Sequence, residues 1–507
     1  MATKMREEMF SINHEMAFCR EFAIIMLVFV GAISVCSQEY SGTLPILVIN
    51  TDGGKNIESK KEYIGANYYL DNLGDDEVEP IGSVSSTLKM EIRGRGNSTW
   101  DRYDKKPYKI KLETKTPLLG MNKSKHFALM PHAEDTLAFL KNPVAFEISK
   151  RIGMTWTPET KPLELFLNGD YRGLYFLTEN IRIEKTRVNI EEQVNGETAD
   201  DKISGGWLLE IDQYEDCPQI VIQEGNMNWM RVTSHSPDSL SNEQLSYLTS
   251  FIGNCNRAIY VSDKNNREWE GFIDIESLAK FYIVGEIMDH VEQFYGSCWM
   301  YKDRGESKLC FGPVWDFGIC FHVKNEKFIY EDSPYGMSWI GEIAKFPSFQ
   351  DKVREIWADF YKKGNANLDD FIDTFVNKIF IAAKYSYDRW PKYGNSNIPL
   401  LVELFKDRLN SKVAFLNSVW NDTSEASSIS DVNSNILSIT KEGDILRISG
   451  TDVPLVECVI TDLRGLRILP IRKNSNEFMF RGVHDNAVYI LNIMLSDKRI
   501  IKYKIRF

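Results

Sequence analysis

No two cysteines of this chain stand in a CxxC pair, no HExxH occurs, and His and Cys never recur at a metal-binding spacing. That argues against a structural zinc site and against the common zinc-hydrolase motif. Beyond Cys36 the cysteines are Cys217, Cys255, Cys298, Cys310, Cys320 and Cys458, and most read as buried thiols on strands. Positive charge is also in short supply: 60 Lys and Arg against 72 Asp and Glu leave a net charge of −12. A nucleic-acid backbone is therefore a poor partner for it. The apolar run Phe22–Val35 (FAIIMLVFVGAISV) is shorter than the ~20 residues a transmembrane helix needs. No internal repeat is present. At 43% hydrophobic and 26% charged residues, the composition supports packed cores and gives no ground for expecting widespread disorder.

That apolar run follows Arg20 and precedes Cys36-Ser37-Gln38. A positive flank, a short apolar core and small residues after it predict a signal peptide over 1–37 and an exported protein, at the cell surface, in the periplasm or secreted. Ile33-Ser34-Val35-Cys36 approximates a lipoprotein box, so membrane association through a lipid anchor or an uncleaved signal is an expectation as well.

Further on, Leu44–Asn50, Tyr63–Tyr69 and Thr87–Ile92 read as strands of a β-rich lead-in over 38–87. Basic alternating strands are expected around Arg93–Trp100 and Pro107–Leu112, then a helix over Leu137–Ile152 ended by Gly153. Asn168-Gly169 between two apolar runs predicts a hairpin. Helical spacing marks Asn242–Tyr260, Ile275–Met288, Phe349–Lys362, Leu368–Tyr385 and Leu400–Trp420. A second hairpin is expected from Ser297–Tyr301 and Leu309–Trp315. Residues 421–435 are a polar linker, and 436–507 hold four short alternating strands, the pattern of a small β-sandwich. The fold class is α+β.

Several motifs recur in order: Arg93-Gly94-Arg95-Gly96-Asn97-Ser98-Thr99-Trp100, Lys105-Lys106-Pro107-Tyr108-Lys109-Ile110-Lys111-Leu112, Leu119-Gly120-Met121 and Lys141-Asn142. After them come Leu165-Phe166-Leu167-Asn168-Gly169, Gly173-Leu174-Tyr175, Gly205-Gly206-Trp207-Leu208-Leu209-Glu210 and Gly312-Pro313-Val314-Trp315-Asp316-Phe317. In this order and spacing the set resembles the CotH family of atypical protein kinases over about 88–415. The resemblance implies a two-lobed kinase-like domain over 88–420 and dependence on ATP and Mg2+. The C-terminal stretch, with Ile460-Thr461-Asp462-Leu463-Arg464-Gly465 and Val488-Tyr489-Ile490-Leu491, resembles a type IX secretion sorting domain, which implies a Bacteroidetes source.

Phosphoryl transfer needs a cationic group on the phosphates, a carboxylate for magnesium and a carboxylate near the attacking hydroxyl. On β-strand periodicity Lys109 and Lys111 share one face while Tyr108, Ile110 and Leu112 share the other. Lys109 or Lys111 is the favoured phosphate ligand, with Lys106 as a further candidate, Glu147 as the helix carboxylate that would hold it, and Arg95 lining the nucleotide roof. Asp316, just before Phe317 and Gly318, is expected at a strand end as the metal ligand, and the family resemblance gives it the same role. Aligned on Tyr295-Gly296-Ser297, the family's catalytic Asp falls on Glu292 and its Asn on His290, with Asp289 as the alternative base. Three functions follow: transfer of the ATP γ-phosphate to protein Ser/Thr hydroxyls, a pseudokinase acting as a surface binding or adhesion protein, and a carbohydrate-active enzyme with paired carboxylates. The partners expected are a nucleotide and a protein substrate or surface partner, with no nucleic acid.

Overall fold

The computed structural model describes residues 40–214, 219–221, 230–321, 327–332 and 339–421, together with the strands of a C-terminal unit between 438 and 506. The run Phe22–Val35, Cys217 and the linker beyond residue 421 lie outside the described residues. The chain divides into two compact units, Met1–Asp422 and Thr423–Phe507.

Alternation decides the first architecture. In Tyr108–Thr116 (β4), Tyr108, Ile110 and Leu112 are buried, while Lys109 and Lys111 lie on the opposite face. The same period in Ile46–Thr51 (β1), Ile64–Asp71 (β2), Leu88–Gly94 (β3), Ser124–Met130 (β5), Thr160–Leu167 (β6) and Asp170–Glu179 (β7) lets seven strands close around one interior. Their order is β1-β2-β3-β4-β5-β7-β6, and β6 closes the ring by pairing parallel to β1, with Ile46 opposite Glu164. Leu47, Ile92, Ile110, Phe127, Leu165 and Leu177 fill the interior, so the barrel is a packed core. Truncating one of them, such as the fully buried Ile110, to Ala would cost about 2–5 kcal/mol. The expected hairpin is present as β6–β7, with Asn168 and Gly169 at φ of 52° and 79°, as a two-residue turn between twisted strands requires. The strands of the lead-in are the first three staves of this barrel, because β1 pairs β2 and β2 pairs β3.

The outer face of β5 and β7 is apolar where Ala128, Met130, Leu174 and Phe176 join a second, larger core. That core includes side chains of the helix Lys141–Arg151 (α2), after the short turn Ser98–Arg102 (α1), and of a five-stranded antiparallel sheet. The sheet order is β12-β11-β8-β10-β9, from Trp207–Ile211 (β8), Gln219–Val221 (β9), Arg231–Ser236 (β10), Cys298–Lys302 (β11) and Cys310–Phe311 (β12). Further helices are Asp200–Ile203 (α3), Asn242–Ile259 (α4), Ile275–Ile287 (α5), Ile329–Asp332 (α6), Trp339–Ile343 (α7), Pro347–Lys362 (α8), Asp369–Arg389 (α9) and Ile398–Trp420 (α10); the five long ones follow the periodicity of the sequence, and the short α3, α6 and α7 were not expected from it. Helix α4 starts on a capping box between Ser241 and Gln244, and α5 on the Asp274 side chain.

Two expected strands stop early. β3 ends at Gly94, because Gly96 at φ 76° turns the chain into α1 instead of carrying the ladder to Trp100. β12 ends at Phe311, because Gly312 at φ 120° and Pro313, which has no N–H, cannot extend it toward Trp315. Asp316 therefore stands on a turn beyond the strand and not at its end. The described strands of the C-terminal unit form two four-stranded sheets, ordered β13-β14-β18-β17 and β16-β15-β19-β20, where four strands were expected. They are Ser438–Glu442 (β13), Ile445–Ser449 (β14), Leu455–Asp462 (β15), Arg467–Ile468 (β16), Arg472–Asn474 (β17), Glu477–Met479 (β18), Val488–Leu495 (β19) and Ile500–Arg506 (β20).

Candidate active site

The turn that carries Asp316 is held on its C-terminal side by the first two residues of α2. Asn142 accepts the Phe317 N–H at 3.0 Å, and the buried Lys141 ammonium donates to the Gly318 carbonyl at 2.6 Å. Phe146, one turn further along α2, stacks on Trp315 at 6.2 Å. Asp135 secures the start of the helix by accepting the Leu137 and Lys141 N–H groups. Clamped this way, Asp316 adopts a φ of 59°, which Asp tolerates better than most residues. Its carboxylate is open to solvent yet hemmed in by protein, like a group on the floor of a recess. Crowding raises its pKa to about 6. The charge of Glu134 adds to the rise, while Arg95, His132 and the Gly318 N–H oppose it.

Arg95 lies just past β3, with its guanidinium 5.4 Å from the Trp315 ring centre. Burial lowers its pKa, against the attraction of Asp316, Glu210 and Glu134. Glu134 arrives from the loop after β5 and packs against Gly318, where a Cβ would come within 2.4 Å of its Cγ. Glu134 Oε1 is 3.7 Å from His132 Nδ1. Burial works against its ionisation, but His132 and Lys141 outweigh that and leave its pKa lowered.

A second group of acids continues from Arg95. Glu210, buried on β8, lies 2.5 Å from His235 Nε2. Asp212, one residue past β8, accepts the Gln213 N–H at 2.6 Å, yet burial and then the charge of Glu210 push its pKa up to about 7. Glu292 is partly exposed in the turn after α5. Gln213 Nε2 donates to the Tyr295 carbonyl at 3.3 Å, which brings that turn against Asp212, and the Tyr214 hydroxyl feels both Asp212 and Glu292. His290 is buried on Phe317, 4.8 Å between ring centres, and burial followed by the charge of Lys141 pushes its pKa down to about 3. Neither of two small cavities, of about 30 and 10 Å3, is lined by Asp316, and the smaller one touches the site at His132.

A family model described as CotH kinase protein matches residues 92–416, well over half of the chain. The chain belongs to the CotH kinase protein family. Membership suggests a kinase-like protein with nucleotide and metal dependence. No curated protein matches the chain.

Against that family's chemistry the basic candidates separate. Lys109 lies on the outer barrel face, opposite Arg93 and Ala128, and Arg95 follows two residues after Arg93, just past the end of β3. Lys111 is on the same face but pairs with Glu91 at 2.8 Å and is 43% exposed. Lys106 donates to the Trp100 carbonyl, its ammonium 5.4 Å from that ring centre. Glu147 binds Arg151 one turn along α2, at 2.7 Å. Asp289 is 3% exposed and ion-paired with Lys412 at 3.2 Å. The structure thus groups Asp316, Arg95 and Glu134, and links them through Glu210 to Asp212 and Glu292. Lys111, Glu147 and Asp289 are engaged elsewhere. Sequence reasoning did not find Glu134, Glu210 or Asp212. An acidic residue just past a strand was the available signal for Asp212, whereas Glu134 joins Asp316 only through a loop packed across 180-odd residues of chain, roughly the whole second core.

Proposed function

We propose that this chain is an exported atypical protein kinase that transfers the ATP γ-phosphoryl group to protein Ser/Thr hydroxyls. The observation that carries the reading is Asp316, held in a strained turn by Lys141 and Asn142 beside the Arg95 guanidinium. In this reading the barrel serves as the small lobe, the helices and five-stranded sheet as the large one, and the nucleotide lies between them. Asp316 would hold Mg2+, and an oxygen-only donor set suits that ion. Bound magnesium neutralises charge on the phosphates. Arg95, with Lys109 on the same barrel face, is suited to hold phosphate oxygens. Glu292 takes the proton of the acceptor hydroxyl as its oxygen bonds to the γ-phosphorus and the bond to ADP breaks. The C-terminal unit serves export as a sorting domain.

A second reading, a pseudokinase that binds at the surface, is favoured by one observation. Protein kinases pair the phosphate Lys with a helix Glu, and here Glu147 is bound to Arg151 instead. Radiolabel transfer from γ-labelled ATP separates the two. The kinase reading expects Mg2+-dependent transfer that drops about 10²–10⁴-fold in Glu292→Gln, with nucleotide binding retained. No transfer by the parent, with an intact thermal shift on Mg-ATP, would leave the binding reading. Equal transfer by parent and Glu292→Gln would remove Glu292 from the proton-accepting role.

A further inference from the structure

We infer that Glu134 joins Asp316 as a direct ligand of a divalent cation of the magnesium class. The inference rests on the reading of Asp316 given above. Glu134 reaches the Asp316 turn at its closest point: the position of a Gly318 Cβ would lie 2.4 Å from Glu134 Cγ and 2.9 Å from Oε1. Only a residue without a side chain lets that carboxylate lie against the turn, two residues from Asp316. The Glu134 side chain is 10% exposed. Its Oε2 is buried and has no hydrogen-bond partner. A buried carboxylate oxygen without a donor is costly, and the groups that favour the Glu134 charge, His132 and its own backbone N–H, leave Oε2 itself without one. Lys141 gives its ammonium to the Gly318 carbonyl, and His132 Nδ1 is 3.2 Å from Asn142 Nδ2 and 3.7 Å from Glu134 Oε1. A hard cation between Glu134 and Asp316 supplies what Oε2 lacks and relieves the repulsion of two neighbouring carboxylates.

The donor set also says which cation. Among the described residues no three His, Cys, Asp or Glu side chains gather into a metal cage. Two carboxylates with the other positions left to water and phosphate are how magnesium is usually held, whereas zinc takes a closed set of nitrogen and sulfur donors. The ion would therefore bind weakly alone and more tightly with a nucleoside triphosphate. The alternative is that Glu134 serves only to hold His132.

Titration of the full chain with Mn2+, followed by the electron paramagnetic resonance of the free ion, tests this with and without a non-hydrolysable ATP analogue. Glu134→Gln keeps the size of the side chain and a polar contact for His132. We expect it to weaken Mn2+ binding at least about tenfold, as Asp316→Asn does, with the metal-free melting temperature preserved. Unchanged Mn2+ affinity in Glu134→Gln overturns the inference. If Asp316→Asn alone loses Mn2+, Glu134 is structural and the reading of Asp316 stands. A parent that takes up no Mn2+ even with the analogue overturns both. Gly318→Ala gives an independent check: its methyl displaces Glu134, so it should lower Mn2+ affinity in the parent and not further in Glu134→Gln.

Discussion

Asp289 and Asp316 both occupy the left-handed backbone region, at φ of 48° and 59°. Each meets one cation and one further carboxylate, and their surroundings differ in access to water. Asp289 is buried with Glu286 around Lys412, whose ammonium lies 3.2 Å from Asp289 Oδ1 and 3.1 Å from Glu286 Oε2. Burial still pushes Glu286 up to about 7, although Lys412 opposes the shift. Asp316 has solvent access, a second carboxylate for a neighbour, and a guanidinium that also serves Glu210. An unusual backbone conformation at an acid therefore does not mark a functional site by itself. What distinguishes the two turns is enclosure: the Asp289–Lys412 pair is buried, whereas Asp316, beside Arg95, is exposed to solvent.

The largest effect should come from removing the internal counter-ion. Lys412→Met strands two buried carboxylates and should lower stability by about 3–5 kcal/mol in urea unfolding, while the triple variant with Glu286→Gln and Asp289→Asn should regain most of it. A loss no greater than that of an ordinary surface substitution would erase the contrast between the turns. Asp316→Asn is expected to do the reverse. Asn tolerates the same backbone region and cannot ionise, so stability should hold at low pH and rise near neutrality, while phosphoryl transfer falls about 10²–10³-fold. Between these lies Asn142→Ala, which removes the acceptor of the buried Phe317 N–H. It should cost about 1–3 kcal/mol and lower transfer through a displaced Asp316, measured as parallel losses in unfolding and kinase assays.

The smallest effect concerns pH. The folded-state pKa values of Asp316 and Asp212, about 6 and about 7, stand above the ordinary aspartate value of about 3.9. The folded protein thus binds more protons than the unfolded chain in that window. Stability should fall as pH rises from about 4 to about 7, and Glu286 contributes with the same sign. Asp316→Asn should flatten the slope of unfolding free energy against pH, with Asp212 and Glu286 left to supply the remainder. Cation binding runs the other way, because it needs the ionised carboxylate and should weaken below about pH 6.

Local patterns were legible in the sequence where local physics sets the structure. The two-residue period of Tyr108–Leu112, the Asn168-Gly169 turn and the helix over Ile275–Ile287 follow from side-chain alternation, backbone freedom and helical spacing. Barrel closure was not legible, since it depends on Ile46 meeting Glu164 across more than a hundred residues. Nor was the engagement of Asp289 by Lys412, 123 positions away. The strand expected to reach Trp315 stops because one glycine and one proline outweigh the apolar run around them. Charge partners of this kind belong to the fold as a whole, and a single chain carries no mark of them until it is packed.

The parallel seam between β1 and β6 also sets a schedule. Strands β1 to β4 are complete by Thr116, but none of them can be enclosed until both Thr160–Leu167 and Asp170–Glu179, which bridges β5 to β6, have been added. Until then the growing chain carries two open sheet edges, β1 on one side and its latest strand on the other, each able to recruit a stranger's strand. If the protein is exported, as we propose, keeping it unfolded until residue 179 has passed would spare it that period of exposure.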